Sequence, residues 1–181
     1  RCMGVVCDVL PADLARDGAG AALADTLAGL GRHVDVLVNN AGVTVPAGFA
    51  GTTLAEQYAF IALTISTPVA LTHRLLPGML ARGWGRIINV GSIAALSSGG
   101  KGNTLYPAGK SFLLKFSQSL NAEVKGRGIF VSAVLPGFVA TEFQAANGIP
   151  IGEDGAARSF AQTADEVARE AWSRNDKGHE I

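Results

Sequence analysis

Short runs of β-branched and apolar residues alternate with longer alanine- and leucine-rich stretches along this chain, and that alternation limits what it can fold into. Met3 to Cys7 is a strand-like run ending at Asp8. Asp13 to Leu30 reads as a helix despite its glycines, and Val34 to Val38 as a second strand closing on Asn39-Asn40-Ala41-Gly42. After the loop Val43 to Thr52, Thr53-Leu54-Ala55-Glu56 fits a capping box, in which hydroxyl and carboxylate satisfy each other's backbone amides. It opens a long helix to about Ala81, which Pro68 should kink. Arg86 to Val90 is a third strand, Ser92 to Thr104 a loop, and Leu105 to Lys125 a helix ended by Gly126 and Gly128. Ile129 to Leu135 is a fourth strand, stopped by Pro136-Gly137, and Thr163 to Ser173 a last amphipathic helix. Strand and helix in alternation predict an α/β fold, a parallel sheet with helices on both faces. Near-continuous apolar strands agree, because both faces of such a sheet are covered.

In sheets of this kind ligands sit at the carboxyl ends of the strands, so the residues just past each strand are informative. Asp8 comes after the first, Asn39-Asn40-Ala41-Gly42 after the second, Gly91 and Ser92 after the third, Pro136 and Gly137 after the fourth. All four polar or turn-forming endings fall on one edge.

Formal net charge is zero, from 15 basic and 15 acidic residues, and no basic block points to nucleic acid or to an anionic membrane. No window reads as long and apolar enough for a membrane helix, and no signal peptide is visible. Cys2 and Cys7 are five places apart on one apolar run, so their side chains point opposite ways and cannot bridge; both read as buried strand residues. His33, His73 and His179 are scattered, and no metal site is expected. A reducing, cytoplasmic setting is the default. The chain starts within a strand and ends in a polar tail, Ser173 to Ile181, so both ends read as cut and residues 1–181 as one partial domain.

Tyr106 and Lys110 are four apart at the start of a helix, a spacing that puts both on one face. A phenol ordinarily keeps its proton to pH ~10 and alone is a poor acid–base group. An ammonium at ~4 Å contributes roughly 4 kcal/mol at an effective dielectric of ~20, enough to activate it. Pro107 places Tyr106 at the helix entrance. Ser92 leads the preceding loop, where a hydroxyl can donate to a substrate oxygen while Tyr106 exchanges the proton. Taken singly, each feature has an ordinary reading: a helix surface, a cap, a tight turn.

The ordered set Asp8, Asn39-Asn40-Ala41-Gly42, Ser92, Tyr106-x-x-x-Lys110 and Pro136-Gly137-x-x-x-Thr141 resembles the classical short-chain dehydrogenase/reductase family. Leu75-Leu76-Pro77-Gly78-Met79 and Gly85-Arg86-Ile87-Ile88-Asn89-Val90 read the same way. The resemblance implies a Rossmann-like fold and a hydride transfer between NAD or NADP and an alcohol or carbonyl carbon of a small molecule. It implies Tyr106 as acid/base, Lys110 holding the nicotinamide ribose, and Ser92 orienting the substrate oxygen. It places Asp8, with Val9, at the adenine ring, and Asn40, Ala41 and Gly42 along the adenosine ribose. Pro136, Gly137, Val139 and Thr141 fall at the nicotinamide end and pyrophosphate. It also points to a homodimer or homotetramer, as do the apolar helices Ser66–Ala81 and Leu105–Lys125 with Phe112, Leu113, Leu114 and Phe116.

The chain departs from that pattern in three ways. The glycine-rich phosphate loop of the first βαβ segment is missing; Gly18-Ala19-Gly20-Ala21-Ala22 lies inside a helical run, not after a strand. Without that segment NAD and NADP cannot be told apart, and these residues alone are expected to bind cofactor weakly. Thr64 stands where the family has a catalytic asparagine, which leaves open a catalytically weakened nucleotide-binding or regulatory protein of the same fold. The loop between Ser92 and Tyr106 is one residue longer than the family pattern, which makes Ser97 and Ser98 weaker candidates. His73 reads as surface, and Tyr58, Phe60 and Trp84 as packing. Gly91-Ser92-Ile93-Ala94-Ala95 lacks the last glycine of a hydrolase elbow. Phe138 to Ala157 is expected to cover the substrate.

Overall fold

The computed structural model describes residues 4–45, 48–101, 104–139 and 162–180. Three strands form a parallel sheet in the order β1 (Val36–Asn39), β2 (Gly85–Val90), β3 (Ile129–Val134). Helix α1 (Ala19–Gly29) precedes β1, while α2 (Leu54–Ile61), a π-helical turn (Ala62–Ser66) and α3 (Thr67–Arg82) connect β1 to β2. Helix α4 (Leu105–Val124) connects β2 to β3, and α5 (Ala164–Asp176) follows.

In parallel register Leu37, Ile87 and Val131 lie side by side, so they share one face of the sheet. They pack with Ala24 of α1, Leu71 and Met79 of α3 and Val124 of α4 into one core. Met79, Ile87 and Val131 are fully buried, and each side chain removed from water stabilises by roughly 1.5–3 kcal/mol. The other face carries α5: Arg86 lies between the Trp84 and Phe130 rings and pairs with Asp176 at 2.8 Å, and the Asn175 amide donates to Ser132 Oγ. Over β1 that second face is open, with Val36 and Val38 exposed.

Of the run Met3–Cys7, the described residues 4–7 do not form the expected strand. They run as exposed irregular chain, and Cys7 is exposed rather than buried; Cys2 lies outside the described residues. A strand requires a hydrogen-bonded neighbour, and residues 4–7 pair with none among the described residues, so the described sheet has three strands instead of four. Helix α1 begins at Ala19, not Asp13, because Asp13 accepts the Ala15 amide in a local turn and Gly18 takes a left-handed conformation (φ 73°). Gly20 serves packing: a Cβ there would stand 2.8 Å from the Thr67 carbonyl oxygen, which is how α1 and α3 approach closely.

The Thr53–Glu56 capping box is present, and a second one, Thr163–Glu166, opens α5. The long helix is broken by the π-helical turn, with Pro68 starting α3 just after it and Pro77 inside α3. By length and composition the continuous stretch Leu54–Arg82 would reach across a membrane, contrary to the sequence expectation; its buried Phe60, Leu71 and Met79 belong to the interior instead. Phe60 packs as expected, whereas Tyr58 is 61% exposed. The polar tail is not free: α5 runs on to Asp176, and the Glu180 carbonyl accepts the Ala133 amide of β3.

Candidate active site

The three strand tips and the first turns of α4 meet at one edge of the sheet. Strand β2 ends at Val90, and Gly91 and Ser92 turn the chain into a short 3-10 turn, Ile93–Leu96. Ser92 Oγ caps that turn by accepting the Ala94 amide at 3.2 Å, which leaves its own O–H free to donate. The turn is clamped on both sides. The Ile93 amide donates to the Pro136 carbonyl after β3 (3.1 Å), and Ser111 Oγ on α4 donates to the Ala95 carbonyl (2.8 Å). Ser97 is used locally, donating to the Ala94 carbonyl.

Helix α4 starts at Leu105, so Tyr106 lies in its first turn, partly buried. Pro107 is tolerated there because the first-turn amides have no helical acceptors. Lys110, one turn on, is 6% exposed. Its Nζ donates to the Val90 carbonyl at 2.8 Å and lies 5.6 Å from the centre of the Tyr106 ring. The lysine expected beside the phenol is anchored to the end of β2 and lies over the tyrosine ring. Burial pushes the Lys110 pKa down to about 8. A Cβ built on Gly42 would lie 3.6 Å from Lys110 Nζ, so the turn after β1 reaches the same point. Asn40 and Ala41 are exposed beside it.

Thr64 is buried in the π-helical turn, and its Oγ1 has no hydrogen-bond partner among the described residues. Helix α4 crosses this turn at Gly109, where a Cβ would meet Thr64 Cγ2 and Phe60 Cε1 at 3.0 Å. Thr64 therefore touches the residue before Lys110. Below the edge, Asn89 is fully buried, accepts from the Asn39 amide (2.8 Å) and donates to Ser117 Oγ (2.8 Å). This ladder ties β1, β2 and α4 together. The Asn89 and Ser117 parts were missed from sequence, although an asparagine in an apolar strand was a readable signal.

Ser92, Tyr106, Lys110, Gly42, Pro136 and Gly137 are thus gathered at one edge, with Thr64 behind them. Asp8 and Val9 are not. The Asp8 carboxylate pairs with Arg32 at 2.9 Å, in the segment preceding β1, at the end of that strand remote from Asn40–Gly42. Without a strand to carry it, the segment does not bring Asp8 to the carboxyl edge. Val139 makes a parallel bridge to Gln162. Thr141 and all but the first two residues of the expected cover, Phe138 to Ala157, lie outside the described residues. Among the described residues no three His, Cys, Asp or Glu side chains converge on a metal position.

A family model described as short chain dehydrogenase matches residues 3–149. Nodulation protein G of Azospirillum brasilense is 40% identical over 109 residues, covering 60% of this chain and 44% of that protein. Acetoacetyl-CoA reductase of Cupriavidus necator is 38% identical over 110 residues, 61% and 44% of the two chains. The chain spans less than half the length of these curated relatives. Among solved structures, a short-chain dehydrogenase from Sphingobium yanoikuyae in complex with NADPH superposes with TM-score 0.85 at 31% identity, over 98% of this chain and 67% of that one. A 7β-hydroxysteroid dehydrogenase structure gives TM-score 0.88 at 25% identity, over 99% and 68%.

Proposed function

Since the chain belongs to the short chain dehydrogenase family, we propose that the whole protein is an oxidoreductase exchanging a hydride between NAD or NADP and an alcohol or carbonyl carbon. One observation carries this reading. The buried Lys110 ammonium stands where three separate sequence motifs meet: it bonds Val90 at the tip of β2, lies over the Tyr106 ring, and faces the gap left by Gly42 after β1.

The residues present fit a nicotinamide dinucleotide. An ammonium has three N–H donors, and Lys110 spends one on a protein acceptor, leaving donors for ribose hydroxyls. The missing side chain of Gly42 keeps the approach open. Asn40, Ala41, Pro136, Gly137 and Val139 border the same edge, and Thr141 belongs to this proposed set by sequence. The cofactor supplies the hydride chemistry when bound. Ser92 donates its hydroxyl hydrogen to the substrate oxygen, and Tyr106 gives or takes the proton at that oxygen. Lys110 keeps positive charge beside the tyrosine, while Thr64, lacking an amide, supports the helix crossing instead of contributing a second donor–acceptor group.

The reductase and dehydrogenase names among the relatives do not favour a non-catalytic member of the fold. A homodimer or homotetramer in the cytoplasm completes the proposal; the stacked, partly buried Phe112 and Phe116 of α4 supply apolar surface for such an assembly. The decisive experiment is Tyr106→Phe in the full-length protein. Loss of turnover by about 10²–10⁴-fold with an unchanged thermal melt is expected. Wild-type turnover in that variant would remove Tyr106 from the mechanism.

A further inference from the structure

The 3-10 turn behind Ser92 has a chemical character of its own. Three residues per turn bring positions i and i+3 onto the same side, so Ile93 and Leu96 stand in line, and they are 52% and 69% exposed. At the other end of this row Ile93 Cδ1 lies 3.9 Å from the Cβ position of Gly137, and the next residue, Phe138, is 62% exposed. The result is an apolar ridge running from Leu96 through Ile93 to the end of β3, beside Ser92. Neither stretch, Ser92–Gly100 or Leu135–Val139, contains a charged residue. Exposed large apolar side chains gathered in one place call for an explanation, whereas single ones do not. The clamps to Pro136 and Ser111 hold the ridge in place, so it is a fixed wall of the site.

From this geometry, and resting on the hydride-transfer reading above, we propose that the carbonyl substrate has an apolar body that lies along Ile93, Leu96 and Phe138. The substrate class is a ketone with an extended alkyl or ring substituent, not a sugar-like polyol or a short keto acid. A polyol would leave its hydroxyls against methyl groups with nothing to bond, and a carboxylate would find no cation on the ridge.

The test is reduction of butanone, 2-octanone, dihydroxyacetone and pyruvate by the full-length protein with NADPH and with NADH. Expected is a kcat/KM for 2-octanone at least about tenfold above that for butanone, with both polar ketones poorer than 2-octanone. Leu96→Ser and Phe138→Ser, on separate segments and both at exposed positions, should each cut the octanone-to-butanone ratio several-fold, chiefly through KM. Preference for dihydroxyacetone or pyruvate, or a ratio unmoved in both variants, overturns the apolar-substrate inference while leaving hydride transfer standing. No turnover of any of the four ketones with either nicotinamide overturns this inference and the function it rests on together.

Discussion

Lys110 Nζ lies 2.8 Å from the carbonyl oxygen of Val90, which pins the second turn of α4 to the last residue of β2. The anchor holds a charged group in a place where 6% of the residue is exposed, and burial alone lowers its pKa from 10.5 to about 8. The consequence for stability has a definite sign. Below pH about 8 the folded and unfolded chains both carry the proton, and the fold bears the full desolvation cost. Between about 8 and 10.5 the unfolded chain binds the proton and the native one releases it, so stability rises with pH. The change is on the order of 3 kcal/mol. Urea unfolding of wild type and Lys110→Met at about pH 7 and about pH 11 should show their difference moving toward the wild type by that amount. A pH-independent difference would mean that the lysine keeps its ordinary affinity for protons.

Gly109 sets the distance between α4 and the π-helical turn. Alanine there gains roughly 1 kcal/mol of helix propensity. Its methyl would press on Phe60 and Thr64 at 3.0 Å, and Phe60 is 1% exposed with no room to retreat. Overpacking of this kind costs about 1–3 kcal/mol. Gly109→Ala should therefore lower the thermal midpoint, and calorimetry that found it raised would show the crossing to be looser than described.

Asn89 supports the edge from beneath. Its replacement by alanine removes the acceptor for the Asn39 amide and the donor to Ser117, both in a fully buried setting. Losing the bonds and leaving a small void costs about 2–4 kcal/mol. Denaturant titration of Asn89→Ala should show a loss in that range, and a loss well under ~1 kcal/mol would mean that water replaces the amide.

Much of this arrangement was legible in the sequence because it rests on local rules. Val36–Asn39, Gly85–Val90 and Ile129–Val134 fall within two residues of the strands read from β-branched runs, and Thr53–Glu56 announced its helix through capping chemistry. Spacing also placed Tyr106 and Lys110 on one helix face. What escaped depends on partners. Met3–Cys7 has strand composition, yet pairing decides strands, and nothing pairs with it among the described residues. The lysine's carbonyl anchor was equally hidden, since spacing says which residues share a face and not which atom a flexible side chain reaches. Arg86 is the sharpest case: a charge in an apolar strand is held by the Trp84 and Phe130 rings and by Asp176, of which only Trp84 is near it in sequence.

Thr64 gives the most direct check on the polar interior behind the edge. Its hydroxyl is buried with no hydrogen-bond partner among the described residues, while its methyl packs against Gly109. A desolvated hydroxyl without a partner costs about 1–3 kcal/mol. Valine has nearly the same shape and carries no polar atom, so Thr64→Val should raise stability by about 1 kcal/mol, seen as a higher denaturant midpoint with an unchanged m-value. The packing against Gly109 is kept, and Lys110 stays anchored to Val90. Should Thr64→Val instead lose about 1 kcal/mol or more, the hydroxyl must bond an ordered water in the π-helical turn. The threonine would then be a working part of the site and not a relic in its wall.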